Sequence, residues 1–183
     1  MRAVIVFESE FGATRLVAEQ IQAGIGEYVS AELVNVHDVA TVSVGPEDLL
    51  VVGAPTHARG LPSSASRADG AAHRLATWRS RRLEPEPLEP GVREWLESLE
   101  LDGARCAAFT TRAQLPRILS GSASPGIRSR LRRSGGREIE PPQDFLVDRE
   151  GSLVVEEAEC ARDWGRKLGV QMQQAYTAQA AQR

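Results

Sequence analysis

Three short stretches carry residues whose types and spacing suit the binding of a charged small molecule. The first is Ser9-Glu10-Phe11-Gly12-Ala13-Thr14, directly after the apolar run Val4-Ile5-Val6-Phe7. From Val17 onward apolar residues recur at helical spacing, as Val17, Ile21, Ile25 and Tyr28. The stretch is therefore a turn between a buried strand and a helix. A helix N-terminus leaves backbone N–H groups without partners and carries the positive end of the helix dipole. Ser9 and Thr14 add hydroxyls, and Gly12 lets a ligand approach the backbone closely. Together these suit a phosphate. The same residues also suit an ordinary strand-to-helix turn capped by Ser and Thr.

The second stretch runs from Gly53 to Ser64 and includes Pro55, Thr56, His57, Ala58, Arg59 and Gly60. It follows Leu49-Leu50-Val51-Val52 and is rich in Gly, Pro and hydroxyls. Open α/β sheets bind ligands at the C-terminal ends of their strands, which is where this loop is expected. The third stretch, Thr110-Thr111-Arg112, ends a small-residue strand over 104–109 and reads as another polar loop. His37, at the end of an edge strand over 31–36, fits a capping or surface role better than a site.

Between these stretches the chain alternates strand and helix. Helices are expected over about 65–78, from Val92 through Leu99, around Ile127 and Leu131, and from near Glu156 along Ala161, Trp164, Leu168 and Met172. Residues 137–140 and 145–147 read as two pieces of a fifth strand, broken by Pro141-Pro142. Five strands alternating with helices predict a parallel sheet covered on both faces. Right-handed crossovers then bring all three polar stretches to one edge of it. Residues 79–90, with three prolines and split charge blocks, read as an irregular surface insertion within a single domain over 1–176. The Ala/Gln-rich tail over 177–183 is expected to fray.

The whole chain narrows the function classes. At 183 residues it is large enough for one full core, and a net charge of −3 argues against nucleic acid as the main partner. No apolar run approaches the roughly 20 residues of a membrane span. Cys106 and Cys160 both read as core thiols, which suits a reducing compartment. With no leader sequence ahead of the first strand, the expectation is a cytoplasmic protein, monomeric or homodimeric. Arg128, Arg130, Arg132 and Arg133 fall on or near one helix, where they form either a solvated face or a dock for an acidic partner.

The three stretches in this order resemble the flavodoxin family over nearly the whole chain, with a layout similar to its actinobacterial members. The family's phosphate loop, close to Thr/Ser-x-Thr-Gly-x-Thr, stands here as Ser9 to Thr14, with Phe11 replacing the middle hydroxyl. An aromatic just before the Gly is also similar to flavodoxin-like NAD(P)H:quinone oxidoreductases. Gly-x-Pro-Thr stands as Gly53-Ala54-Pro55-Thr56, and the third loop matches Thr110-Thr111-Arg112. The resemblance implies a three-layer flavodoxin-like sandwich, a five-stranded parallel sheet of order 2-1-3-4-5 with helices on both faces, and FMN at the switch point.

It further implies that the FMN phosphate sits on the N–H groups of Phe11 to Thr14 and the hydroxyls of Ser9 and Thr14. The ring would lie between the 55–60 and 110–112 loops. Electron transfer with a redox partner protein or a small quinone is the implied role. An NAD(P)H-dependent quinone or flavin reductase, or a flavin-free interaction domain, are the alternatives. Neither ring-flanking loop holds a Trp or Tyr, so weak FMN binding is expected. Arg59 and Arg112 beside the ring would stabilise its reduced anion and raise its potential.

Overall fold

The computed structural model describes residues 1–69 and 90–181. The insertion expected over 79–90 lies outside them except for Pro90. So does the later part of the helix expected over 65–78.

The elements run β1 (Ala3–Phe7), α1 (Ala13–Gly26), β2 (Ala31–Asn35) and β3 (Leu49–Pro55). A helix, α2, covers 64–69 as far as it is described. There follow α3 (Val92–Trp95), β4 (Arg105–Ala113), α4 (Arg117–Ser120), α5 (Ser124–Arg133), β5 (Arg137–Glu138), β6 (Gln143–Val147) and α6 (Val155–Ala180). The sheet order is β2-β1-β3-β4-β5, with β6 also on β4. Every strand pair is parallel.

The fifth position is split as the sequence predicts. Arg137 and Glu138 pair with Arg105 and Cys106, and Gln143 to Val147 pair with Phe109 to Ala113 further along the same strand. Pro141-Pro142 falls between the two pieces, where prolines have no N–H to give the ladder.

Alternation along the strands divides the core between two faces. Val4, Val6, Leu50, Val52 and Ala108 pack with Leu96, Ile127 and Leu131 on the α3/α5 side. Ala3, Ile5, Phe7, Val51 and Phe109 pack with Val17, Ile21, Ile25, Trp164, Leu168 and Met172 on the α1/α6 side. The helices α1 and α6 meet through glycines. A Cβ on Gly24 would fall 2.1 Å from the Arg162 carbonyl oxygen, and one on Gly165 would fall 2.4 Å from that of Ile21. Arg162 and Arg166 both bond the Glu27 carboxylate, each at 3.0 Å, where α1 ends. Among the described residues no helix is long and apolar enough to cross a membrane.

Three expectations are corrected. Thr110-Thr111-Arg112 is not a loop, because β4 continues through Ala113. It stays paired on both edges there, with Ala54 and Pro55 on one side and Asp144 to Leu146 on the other. Cys106 is buried, but Cys160 is exposed. It precedes Ala161 and so points about 100° away from the buried stripe of α6. The residues after Tyr176 remain helical through Ala180, in keeping with the good helix propensity of Ala and Gln.

Candidate functional site at the C-terminal edge of the sheet

The turn after β1 is shaped by two residues. Gly12 caps α1 with a φ of 90°, in the left-handed region that glycine adopts without penalty, and nothing lies within 4 Å of where its Cβ would be. The Ser9 hydroxyl accepts from the N–H of Gly12 at 3.1 Å and of Arg15 at 3.4 Å. Ser9 therefore braces the turn from within. Thr14 is buried in the first turn of α1, and its hydroxyl meets that of Thr111 at 2.8 Å. The N–H groups at the start of the helix lie here, with no carbonyl a turn earlier to receive them.

The stretch after β3 doubles back sharply. His57 and Gly60 exchange backbone hydrogen bonds, at 2.9 and 2.8 Å, around Ala58 (φ 44°) and Arg59 (φ 70°). Two positive φ angles in a row match a type I′ turn, which favours Asn-Gly over these residues. The surroundings hold the turn in place. The Ser122 N–H donates to the Arg59 carbonyl at 3.3 Å, and the Arg59 guanidinium donates to the carbonyl of Ile118. Thr56 N–H donates to the Thr111 carbonyl at 2.8 Å, and its hydroxyl meets that of Thr110 at 3.1 Å. The turn drives His57 inward, so that its Nε2 lies 2.9 Å from Glu10 Oε2, with both side chains 5% exposed.

Arg112 leaves the end of β4 but is fully engaged. Its Nε donates to Asp144 Oδ2 at 2.9 Å, and its Nη1 to the Leu115 carbonyl at 2.8 Å and Ser120 Oγ at 3.2 Å. Asp144 also accepts from Ser122 and Ser124 at 2.8 and 2.9 Å. Arg117 Nε lies 3.5 Å from the same carboxylate, so Asp144 offsets the Arg112 charge only in part.

These elements enclose a cavity of about 220 Å³. Glu10, Phe11, Ala13, Thr14, Pro55, Thr56, His57, Thr111 and Arg112 line it. Ser9, Gly12, Ala58, Arg59, Gly60 and Thr110 lie off its wall, although Ser9, Gly12 and Thr110 hold residues that form it. Sequence reasoning missed the remaining wall: Ala113, Val147, Asp148, Arg149 and Gly151. There Asp148 Oδ1 accepts from the N–H of Glu150 and Ser152, both at 2.8 Å, and Gly151 has a φ of 76°. The run Asp-Arg-Glu-Gly directly after a strand was the available signal, since Asp and Gly mark such turns. It brings the exposed Arg149 to the rim.

Glu8, Arg67 and Glu94 form a further charge cluster, in which Glu8 and Arg67 are buried. Glu8 accepts from the Val92 N–H at 2.8 Å, and Arg67 stands between Glu8 at 3.5 Å and Glu94 at 3.0 Å. Burial pushes the Glu8 carboxyl above its usual value of 4.5, with the Val92 N–H and Arg67 pulling the other way. The folded state therefore binds the Glu8 proton more tightly than the unfolded chain does. The stability this provides is complete below the unfolded value and is lost as pH rises through the folded one. Glu8→Gln, which cannot ionise, is expected to gain stability relative to the parent as pH is raised from below 4.5. Urea denaturation at a series of pH values reads this, and parallel curves for the two proteins would refute it.

A family model described as Flavodoxin matches residues 5–110, more than half of the chain. No curated protein matches it by sequence. Among solved structures it is similar to oxidised Flavodoxin 1 from Bacillus cereus, at 19% identity with a TM-score of 0.59, over 90% of this chain and 95% of that one. It is also similar to a flavodoxin from the domain Archaea, at 17% identity and a TM-score of 0.58, over 94% and 99% of the two chains. A flavodoxin, WrbA-like protein from Agrobacterium tumefaciens aligns at 18% identity and a TM-score of 0.58, over 94% and 98%. The sheet order, the turns at its C-terminal edge and the family match agree: the chain belongs to the flavodoxin family.

Proposed function

We propose that this protein binds FMN at the edge where the turns after β1 and β3 meet the end of β4, and that it transfers electrons to or from a redox partner protein or a small quinone. The observation that carries this reading is the cavity at the β1/β3 switch point, whose wall unites residues from all three stretches. The donor set suits a phosphate at one place. Gly12 leaves open space at the positive end of a 14-residue helix, beside the Thr14 hydroxyl. Ala13, Thr14 and the hydroxyl pair Thr14–Thr111 would hold that end of the ligand.

A bound flavin supplies the redox chemistry, and the protein supplies orientation and electrostatics. Among the described residues the aromatic rings on the cavity wall are those of Phe11 and His57, with no Trp or Tyr. The cavity is also smaller than the roughly 300–1,000 Å³ of sites that enclose a whole drug-sized ligand. Affinity should accordingly be modest. Each absent stacking partner weakens binding by about 0.5–1.5 kcal/mol, or up to about tenfold.

Titration of the purified protein with FMN, followed by quenching of flavin fluorescence, tests the reading. Saturable binding with one site is expected. No saturation by roughly 1 mM, the limit of about −4 kcal/mol, would refute it.

A further inference from the structure

One group on the cavity wall has no role in the reading above. Glu10 belongs to the phosphate turn, yet its side chain is 5% exposed, and both carboxylate oxygens are buried without a hydrogen bond among the described residues. Its contact with His57 Nε2 at 2.9 Å is an ion pair when the imidazole is protonated, but it lacks the aim of a hydrogen bond. The pair lies on the same wall as Ala13 and Thr14, at the N-terminus of α1. Buried carboxylates normally collect donors, whereas among the described residues this one finds only the His57 ring.

Resting on the FMN reading, we propose that Glu10 is a specificity-determining residue. It opposes a phosphate dianion at the start of α1, His57 partly offsets it, and the site therefore takes riboflavin about as well as FMN. The helix terminus attracts an anion with about half a unit of charge. A carboxylate in the same turn repels one with a full unit, in surroundings that screen poorly. The charges that the structure places near the cavity stand mostly in opposed sets. Arg112 shares the Asp144 carboxylate with Arg117, at 2.9 and 3.5 Å, and Arg117 is exposed, where water and salt screen it. Arg149 is exposed, where salt and water screen it, and Asp148 beside it is acidic. Glu8, close enough to His57 to act on it, is held against Arg67 at 3.5 Å.

The test compares dissociation constants for FMN and riboflavin in the parent, Glu10→Gln and His57→Gln, with folding checked by circular dichroism. The parent is expected to bind the two flavins within about threefold of each other. Glu10→Gln should tighten FMN by about tenfold and leave riboflavin unchanged. His57→Gln should weaken FMN more than riboflavin, because it strands the carboxylate. Inorganic phosphate gives a readout that needs no flavin: it should raise the melting temperature of Glu10→Gln and not that of the parent. If neither flavin binds but phosphate behaves in this way, the FMN reading fails and the role of Glu10 stands. If Glu10→Gln leaves both the flavin ratio and the phosphate response unchanged, or if the parent prefers FMN by about a hundredfold, the role of Glu10 is refuted.

Discussion

Phe109→Ala should lower the free energy of unfolding by about 3–5 kcal/mol, the range for removing a large aromatic from a core. Phe109 is wholly buried on β4 and meets Phe145 and Trp164 edge-on, with ring centroids 6.3 and 6.4 Å away. Phe145 and Trp164 meet each other in the same way, at 6.3 Å. This trio joins β4, β6 and α6, so its loss loosens the split edge strand and the last helix together. The ring also lies across Gly53, where a Cβ would fall 2.0 Å from a ring carbon. Gly53→Ala alone should therefore destabilise by about 1–3 kcal/mol, through overpacking. Combined with Phe109→Leu it should cost less than the sum of the two, since the smaller side chain vacates the space. Denaturant curves for the four proteins measure this. A loss below about 1 kcal/mol for Phe109→Ala would mean that the core collapses around the gap.

Thr14→Glu should weaken FMN binding by at least about a hundredfold, or roughly 2.7 kcal/mol. Thr14 is 2% exposed, and its hydroxyl is fixed by Thr111 at 2.8 Å. A carboxylate there would place its own charge at the positive end of α1 and occupy the space of the phosphate. Acidic residues suit the first turn of a helix, but position 14 is buried, so circular dichroism checks that the variant folds. Thr14→Ser, which keeps the hydroxyl, should bind within a few-fold of the parent. Flavin fluorescence titration reads both variants. Equal affinity in Thr14→Glu and the parent would place the ligand elsewhere.

Much of this architecture is legible in the sequence, for a physical reason. Strands of a parallel sheet are buried on both faces, so Val4 to Phe7 and Leu49 to Val52 stand out as continuous apolar runs. Pro141-Pro142 marks the break in the fifth strand because proline cannot join a ladder. The site edge is less legible because polarity there reports position rather than conformation. Thr110, Thr111 and Arg112 resemble a loop, yet Thr110 and Thr111 are paired on both sides and Arg112 is paired with β6, since the strand end faces a polar cavity instead of the core.

The charge pairs are not legible at all. Glu10 finds His57 and Glu8 finds Arg67 only after the sheet brings distant turns together. Arg112 lines the cavity, and its guanidinium is bonded to Asp144, which becomes its neighbour only through the β4–β6 pairing. Arg59 turns to the Ile118 carbonyl. No local pattern encodes either outcome.

The glycine contact between α1 and α6 bears on how the protein is made. Val17, Ile21 and Ile25 leave the ribosome well over a hundred residues before Trp164, Leu168 and Met172, with which they pack. The first helix therefore waits, with part of its apolar stripe uncovered, until α6 is translated. A nascent chain stalled before residue 160 lacks the helix that covers it, and is a natural client for chaperones that hold exposed apolar segments.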